Sequence, residues 1–401
     1  MATDSPQQPP TYDVIIVGGS VAGCATALSI FNTHPSASIL VLDDADPSLF
    51  KIGESLPAPA KRVLGRICPE IFERISTSHN GEESAYMICS GTASVWGRPE
   101  LQETYAMMNP YGVGWHLDRA LFDELFRQCM CTVAQGSVSL VKSTFVDIDR
   151  VDGNSAWLVS VNGGGRSDGQ VYRSKWVVDA SGRKATVARK LGSKTVKEDS
   201  LLAFYAVFVA PSVAEDTDNR TLIEACESGW WYSSPLPSNH RVVVYHTDDS
   251  EPTSRDARKL DGFMNLLNNT TVHISQAISK HDYDLCVDPK ARFPICTTAC
   301  SARLEPPCQT VSDGGARWCA VGDAAMAFDP LSSQGMITAL KSGVVVGDAI
   351  AKALTATDPK DDPTGIIPHI YSQIWNKYLN EKAYFYGQEG RFEGKFWETR
   401  R

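Results

Sequence analysis

Gly18, Gly19, Ser20, Ala22 and Gly23 follow directly on the apolar run Tyr12-Asp13-Val14-Ile15-Ile16-Val17, and Asp43 lies 25 residues beyond Gly18. That spacing is suited to holding a dinucleotide. A buried strand enters a tight glycine turn, the next helix points its N–H groups at a pyrophosphate, and an acidic residue ends the following strand within reach of a ribose hydroxyl. Gly18 permits the turn, Gly23 permits close packing of helix on strand, and Asp43 supplies the acceptor. The middle glycine of the usual G-x-G-x-x-G is replaced by Ser20, whose Cβ and hydroxyl stand where backbone would approach phosphate.

Other chemistry-bearing residues recur along the chain. Glu54 sits on the proline-rich stretch Lys51-Ile52-Gly53-Glu54-Ser55-Leu56-Pro57-Ala58-Pro59, as an acid/base or as a hydrogen-bonding anchor for that stretch. His116 precedes Asp118-Arg119 and is either a proton carrier or part of a helix start. Trp230, Trp231 and Tyr232 are consecutive, so a strand would turn Trp230 and Tyr232 to one face and Trp231 to the other. One face is a candidate wall for an aromatic substrate, with ordinary sheet core as the competing reading. Trp96 is a further substrate candidate. No ordered Ser-His-Asp set and no Cys/His set with zinc spacing competes with these groups.

The elements that must position them read as α/β. Strand, helix and strand fill the chain to about residue 45, and a helical pattern covers 61–77. Strands are expected at 86–96 and 105–111, and an amphipathic helix at 117–133. Strands at 138–149 and 155–163 flank a hairpin turn at Asp152-Gly153-Asn154. The strand Lys175–Asp179 runs into Ala180-Ser181-Gly182-Arg183. Strands then alternate at 201–210, 221–225, 229–233 and 241–246, with a helix at about 253–268. A returning strand, Arg317-Trp318-Cys319-Ala320-Val321, leads through Gly322-Asp323 and Asp329-Pro330 into a long helix from Met336. The expected architecture is a Rossmann-like FAD-binding domain with an inserted mixed-sheet substrate domain and a helical C-terminus. Its boundaries are a disordered tail over 1–11, the cofactor domain at 12–75, 105–185 and 315–355, the substrate domain at 76–104 and 186–314, and helices over 356–401.

The chain has 401 residues, 43% hydrophobic and 21% charged, with a net charge of -9. Those values describe an ordinary globular chain and argue against a nucleic-acid or anionic-membrane surface. No apolar run approaches a membrane span, and the polar N-terminus lacks the pattern of a signal peptide. The eleven cysteines are odd in number and scattered, with no C-x-x-C. They read as reduced thiols of a cytoplasmic protein, with Cys286, Cys296, Cys300 and Cys308 close enough in sequence for a redox role.

Four motifs in this order resemble the FAD-containing monooxygenase superfamily typified by p-hydroxybenzoate hydroxylase: Gly18–Gly23, Asp118-Arg119, Asp179–Arg183, and Gly322-Asp323 with Asp329-Pro330. Within it the chain is most similar to the branch of flavin-dependent halogenases, geranylgeranyl reductases and quinone-cofactor-maturation monooxygenases. Gly53-Glu54-Ser55-Leu56-Pro57 resembles the halogenase flavin strap. Asp329–Gly335, Gly229–Ser233 and the terminal Phe396-Trp397 with Arg400-Arg401 look most like the quinone-maturation members. The resemblance implies FAD, with Gly18, Gly19, Ser20, Ala22, Gly23 and Arg119 at its pyrophosphate and Asp43 at its adenosine ribose. It further implies Gly53, Glu54 and Ser55 in the strap, Gly322 and Asp323 at the ribityl chain, and Pro330, Ser333, Gln334, Gly335 and Met336 around the isoalloxazine. Arg183 belongs to a shared motif, or is merely a strand-end arginine.

The resemblance also frames the reaction. Halogenases carry a lysine two residues before a glycine in the strand after the strap, and that place is Cys89 here, before Gly91. Their G-x-x-W-x-I-P signature is absent. A thiol cannot carry a haloamine, so the expectation is hydroxylation of an electron-rich aromatic, with indole or tryptophan-like rings as candidates, through a flavin C4a-hydroperoxide. The substrate is a small aromatic molecule or an aromatic group on a carrier or protein. NADPH or NADH is the expected electron donor, used directly or through a flavin reductase. Two alternatives remain at this level: another flavin oxidoreductase (reductase, dehydrogenase or halogenase), or a non-catalytic maturation partner without the cofactor, which Ser20 keeps open.

Overall fold

A computed structural model describes residues 8–77, 85–151, 153, 155–163, 166–211, 216–287, 290–309, 315–356 and 363–401. Residues 1–7 of the expected tail, and Asp152 and Asn154 of the expected hairpin turn, lie outside the described residues. The first strand begins at Thr11.

The largest parallel core takes its order from the apolar runs. The strand Thr11–Val17 lies between Ile39–Asp43 and the end of Arg166–Asp179, and Arg317–Ala320 follows beyond the latter, all parallel. The start of Val138–Val151 pairs parallel on the outside of Ile39–Asp43. The rest of Val138–Val151 turns away into an antiparallel meander with Ala156–Gly163 and the start of Arg166–Asp179. Val14, Ile15, Ile16, Leu40, Val41, Val177 and Val178 are fully buried, as expected for parallel strands covered on both faces.

Two helices cross one face of this core at close range. The helix Val21–Thr33 packs on Gly335–Thr355 through small residues. A Cβ added to Gly343 would stand 2.7 Å from the Ala22 carbonyl oxygen, and one on Gly347 would stand 2.7 Å from that of Thr26. Ser29 clips the pair by donating to the Val344 carbonyl at 3.0 Å and to Asp348 at 2.6 Å.

The second large sheet has eight strands. Leu201–Val209, His240–Asp248, Gly229–Leu236 and Thr221–Cys226 run antiparallel in that order, and Thr221–Cys226 pairs parallel with Gly91–Val95. Gln102–Tyr105 closes one edge. A three-stranded sheet of Ser55–Leu56, Gly114–Leu117 and Tyr86–Cys89 connects the two large sheets and carries the strap.

Several sequence expectations change. The strand expected at 86–96 is two strands in different sheets, broken at Ser90. Gly91 takes φ +153°, and a Cβ there would meet the Thr104 carbonyl oxygen at 2.1 Å. The expected strand at 105–111 ends at Tyr105 and becomes a single 3-10 turn. The helix expected at 61–77 is two helices, because Pro69 forces Cys68 out of helical geometry, to φ -154° and ψ 79°. The helix expected at 253–268 is divided into Thr253–Asp256 and Leu260–Thr270. Gly114–Leu117, read as a helix approach, is a strand, and the helix starts at Arg119.

Candidate functional site

The glycine turn is built as the spacing requires. Gly18 has φ +110°, and a Cβ there would lie 2.3 Å from the Ala180 carbonyl oxygen. A Cβ on Gly23 would lie 1.9 Å from the Gly18 carbonyl oxygen, so neither position accepts another residue. Ser20 is the N-cap of the helix Val21–Thr33, yet its side chain makes no capping bond. Its hydroxyl donates instead to Asp123 Oδ2 at 2.7 Å. The first-turn N–H groups therefore keep no side-chain partner, which is the arrangement that receives an anion. Asp43 stands beside Gly19 and pairs with Arg127 at 2.9 Å.

One face of the helix Arg119–Val133 supplies the charges around this turn. Arg119, Asp123 and Arg127 recur every four residues and are all buried. Arg119 Nη1 donates to the Gly53 carbonyl at 2.8 Å, and Nη2 pairs with Asp123 Oδ1 at 3.2 Å. Lys51 closes the group on Asp123 and lies 3.0 Å from the Ser20 hydroxyl. Burial opposes the charge on Asp123, but Arg119 and Lys51 outweigh it and hold the carboxyl below its ordinary value. Asp123, Arg127 and Lys51 were missed as site residues. The fourfold repeat Arg119, Asp123, Arg127 was the available signal.

The strap crosses to the second sheet. Gly53 has φ +100°. Glu54 is 3% exposed, accepts from its neighbour Gly53 N at 3.0 Å and from the Ser234 hydroxyl at 3.3 Å. Ser55 Oγ meets the Tyr232 hydroxyl at 2.7 Å, and Tyr232 donates on to Ser234 at 3.1 Å. Burial, then the charge of Glu54, pushes the Tyr232 phenol far up, so it stays protonated.

His116 does not fit the proton-carrier reading. It is 1% exposed, its Nε2 is bonded to Thr221 Oγ1 at 3.0 Å, and its Nδ1 has no partner. Burial, with Arg241 nearby, lowers its pKa to about 3, so the ring is neutral at physiological pH.

Two loops carry the remaining candidate site residues. Gly322 has φ +58° and donates its N–H to Ser342 Oγ at 2.9 Å. Asp323 is crowded by protein, which raises its pKa, yet 38% of its side chain is open, with Arg183 at 3.6 Å. Arg183 also donates to the carbonyls of Cys300 at 2.6 Å and Phe328 at 3.1 Å, so it ties three segments together. Asp329 is 1% exposed and holds its loop by accepting from Leu331 N at 2.9 Å and from the Tyr386 hydroxyl at 2.9 Å. Pro330 is exposed, Ser333 adopts φ +48°, and Gln334 donates to Glu381 at 3.0 Å. The helix Gly335–Thr355 opens without a side-chain cap or an acidic residue in its first turn, and Met336 is buried behind it. A Cβ on Gly335 would meet nothing within 4 Å, so the space before this helix is open.

The aromatic residues are not brought together on an open face. Trp230 is fully buried, stacked on His246 at 3.7 Å, with Nε1 donating to the Tyr386 hydroxyl at 3.0 Å. Trp96 packs edge-on against Trp230, Tyr386 and Trp397 at 5.4 to 6.4 Å. Residues of the C-terminal helices cover Trp230, which corrects the expectation that Trp230 lines a substrate wall, while Trp96 stays half-buried against the same residues. Of that set, Tyr232 alone reaches the strap. The four late cysteines are likewise divided. Cys308 faces Cys319 in the parallel-core sheet, whereas Cys296 pairs with Phe204 in the other sheet. All eleven cysteines are free thiols, and among the described residues no His, Cys, Asp or Glu group could hold a metal.

Residues 70–278, more than half of the chain, match the tryptophan halogenase family model. The chain belongs to the tryptophan halogenase family. It is an enzyme, an FAD-dependent oxidoreductase. It is 29% identical over 393 residues, 97% of each chain, to the putative FAD-dependent oxidoreductase LodB of Marinomonas mediterranea. It is 24% identical over 361 residues, 87% of this chain and 80% of the relative, to the 1H-pyrrole-2-carbonyl-(peptidyl-carrier protein) brominase of Pseudoalteromonas luteoviolacea. The fold is shared with the myxobacterial chondrochloren halogenase CndH at TM-score 0.80 and 19% identity, over 98% of this chain and 86% of that one. It is shared with the peptidyl tryptophan dihydroxylase QhpG at TM-score 0.67 and 19% identity, over 97% and 78%. Among the described residues no helix is long and apolar enough to cross a membrane.

Proposed function

We propose that this enzyme is a monooxygenase that hydroxylates an electron-rich aromatic ring, of the indole or tryptophan type, presented by a polypeptide or a carrier. The residues present fit FAD. Its pyrophosphate would meet the free N–H groups after Ser20, with Arg119 adding charge, and its adenosine ribose would meet Asp43. Asp323 would accept from the ribityl hydroxyls, and the uncapped helix start at Gly335-Met336 would stabilise negative charge on the ring system next to Pro330. When bound, FAD supplies electron transfer and activation of dioxygen. Reducing equivalents would come from NADPH or NADH, used directly by transient docking or passed on by a flavin reductase.

The chain's own residues do the rest. The strap closes one side of the cleft against water, fixed by Arg119 on Gly53 and by Leu117 N on the Glu54 carbonyl at 2.9 Å. Glu54 is the acid/base candidate facing the second sheet, and Ser234 and Tyr232 hold its rotamer.

The observation that carries oxygen insertion over halogenation is Cys89. It ends the strand Tyr86–Cys89, with Sγ 3.3 Å from the Gly91 carbonyl, at the place where the halogenase resemblance calls for a lysine. Burial pushes its thiol pKa up, so it is a neutral, poorly reactive group. The fold neighbour QhpG is a peptidyl tryptophan dihydroxylase, which supports the same substrate class. A direct test supplies FAD, NADH and a flavin reductase to the enzyme, with tryptophan peptides and free indoles, in chloride and bromide buffers. Products gaining one oxygen support the proposal. Products in which a halogen replaces hydrogen overturn it.

A further inference from the structure

Ser20 breaks the glycine fingerprint, and its surroundings show what replaces the glycine. Its hydroxyl donates to Asp123 Oδ2 at 2.7 Å, lies 3.0 Å from Lys51 Nζ and lies 3.5 Å from Arg119 Nη2. Lys51 also pairs with Asp123. Three chain segments meet at one hydroxyl: the glycine turn, the stretch that carries Lys51, and two successive turns of the helix Arg119–Val133. Asp123 is 3% exposed on its side chain and Lys51 is 42% exposed, so the anion is fixed while the lysine keeps freedom to move. Arg119, Lys51 and Asp123 sum to a single positive charge beside N–H groups that have no side-chain cap.

We infer that Ser20, Asp123 and Lys51 form a clasp that fastens the strap over the phosphate end of the cofactor cleft, and that Lys51 is a phosphate-holding residue. With a pyrophosphate present, Lys51 shares its charge between Asp123 and the phosphate, and Ser20 keeps Asp123 oriented so that Arg119 is not drawn away from the cleft. The serine is then a part of the cofactor site and not an obstruction in it. The two readings differ in sign. If Ser20 only crowds the phosphate, Ser20→Gly binds FAD more tightly and Ser20→Ala leaves binding unchanged. If Ser20 belongs to the clasp, both variants bind FAD more weakly.

The inference rests on the FAD reading, and the experiment separates the two. FAD dissociation constants and release rates are measured by flavin fluorescence on the full-length wild type, Ser20→Gly, Ser20→Ala, Lys51→Met and Asp123→Asn, at low and high salt. A wild type that takes up no FAD refutes the FAD reading itself. For the clasp, release of FAD from Ser20→Ala and Lys51→Met accelerates about tenfold, the size of one lost hydrogen bond to a charged group. Lys51→Met also loses part of the salt dependence seen in the wild type. Thermal melts of the apo forms identify a variant that merely fails to fold, and Lys51→Met, which leaves Arg119 paired with Asp123, still melts cooperatively. Unchanged release from both Ser20→Ala and Lys51→Met, or tighter binding by Ser20→Gly, overturns the clasp.

Discussion

At the scale of single residues, the site is governed by which charges are allowed to exist inside the protein. His116 and His246 are both buried, each with an unpartnered Nδ1, and both have their pKa lowered to about 3 by burial. Their ordinary value is 6.5. The folded state keeps them neutral while the unfolded chain binds their protons below that value. The stability they permit is therefore complete above about pH 6.5 and falls as pH drops toward 3, by about 1.4 kcal/mol per pH unit for each ring. His116→Gln, which retains a partner for Thr221, is expected to flatten this acid limb in urea denaturation measured from pH 7 to pH 4. An unaltered slope would show that the ring is charged in the folded protein. Cys89 is governed by the same preference for neutral groups, since burial pushes its thiol pKa up.

At the scale of elements, what reads from sequence is local and what fails is long-range. The glycine turn, Asp43 and the strand Thr11–Val17 lie within one strand-helix-strand unit, so their spacing alone defines them. Trp230 could not be placed that way. Its surface is covered by Tyr386 and Trp397, more than 150 residues later, and strand periodicity cannot distinguish a face covered by distant helices from one open to substrate. The break at Cys68 was legible from Pro69, but the helical periodicity of the flanking residues concealed it. The C-terminal segment is locked by Arg400, which forks onto Asp248 at 2.8 and 2.5 Å and lies over the Phe396 ring at 4.0 Å. Arg400→Met leaves Asp248 as an uncompensated buried charge and is expected to destabilise the fold by roughly 3 to 5 kcal/mol. The double variant with Asp248→Leu should recover much of that in urea melts, and equal losses in the single and double variants would refute the pairing argument. Close helix packing makes a parallel prediction. Gly343→Val drives a side chain into the Ala22 carbonyl and should cost about 1 to 3 kcal/mol, with weakened FAD binding because the helix after Ser20 is displaced. A thermal melt matching the wild type would show that the two helices can separate freely.

At the scale of the whole molecule, the two large sheets meet at the short strap sheet, and each brings half of a site. The parallel core contributes fixed charges and the helix starts proposed to hold phosphate. The eight-stranded sheet contributes Ser234 and Tyr232 against Glu54, while C-terminal aromatic residues pack against its Trp230 and Trp96. On the proposed function, a substrate ring would enter beside the strap, since Trp230 is fully buried. Trp230→Phe is expected to lower stability, since it shrinks a stacked site and removes the Trp230 N–H bond to the Tyr386 hydroxyl, which keeps its bond to Asp329, while leaving substrate KM within about twofold. A large rise in KM at unchanged stability would return Trp230 to the substrate wall.

The central claim is oxygen insertion by this halogenase-family fold, and its most direct measurement is product mass after turnover under isotopically heavy dioxygen with bromide in the buffer. The account predicts an aromatic product that carries the heavy oxygen and no bromine. A brominated product, or a hydroxylated one whose oxygen comes from water, would contradict it.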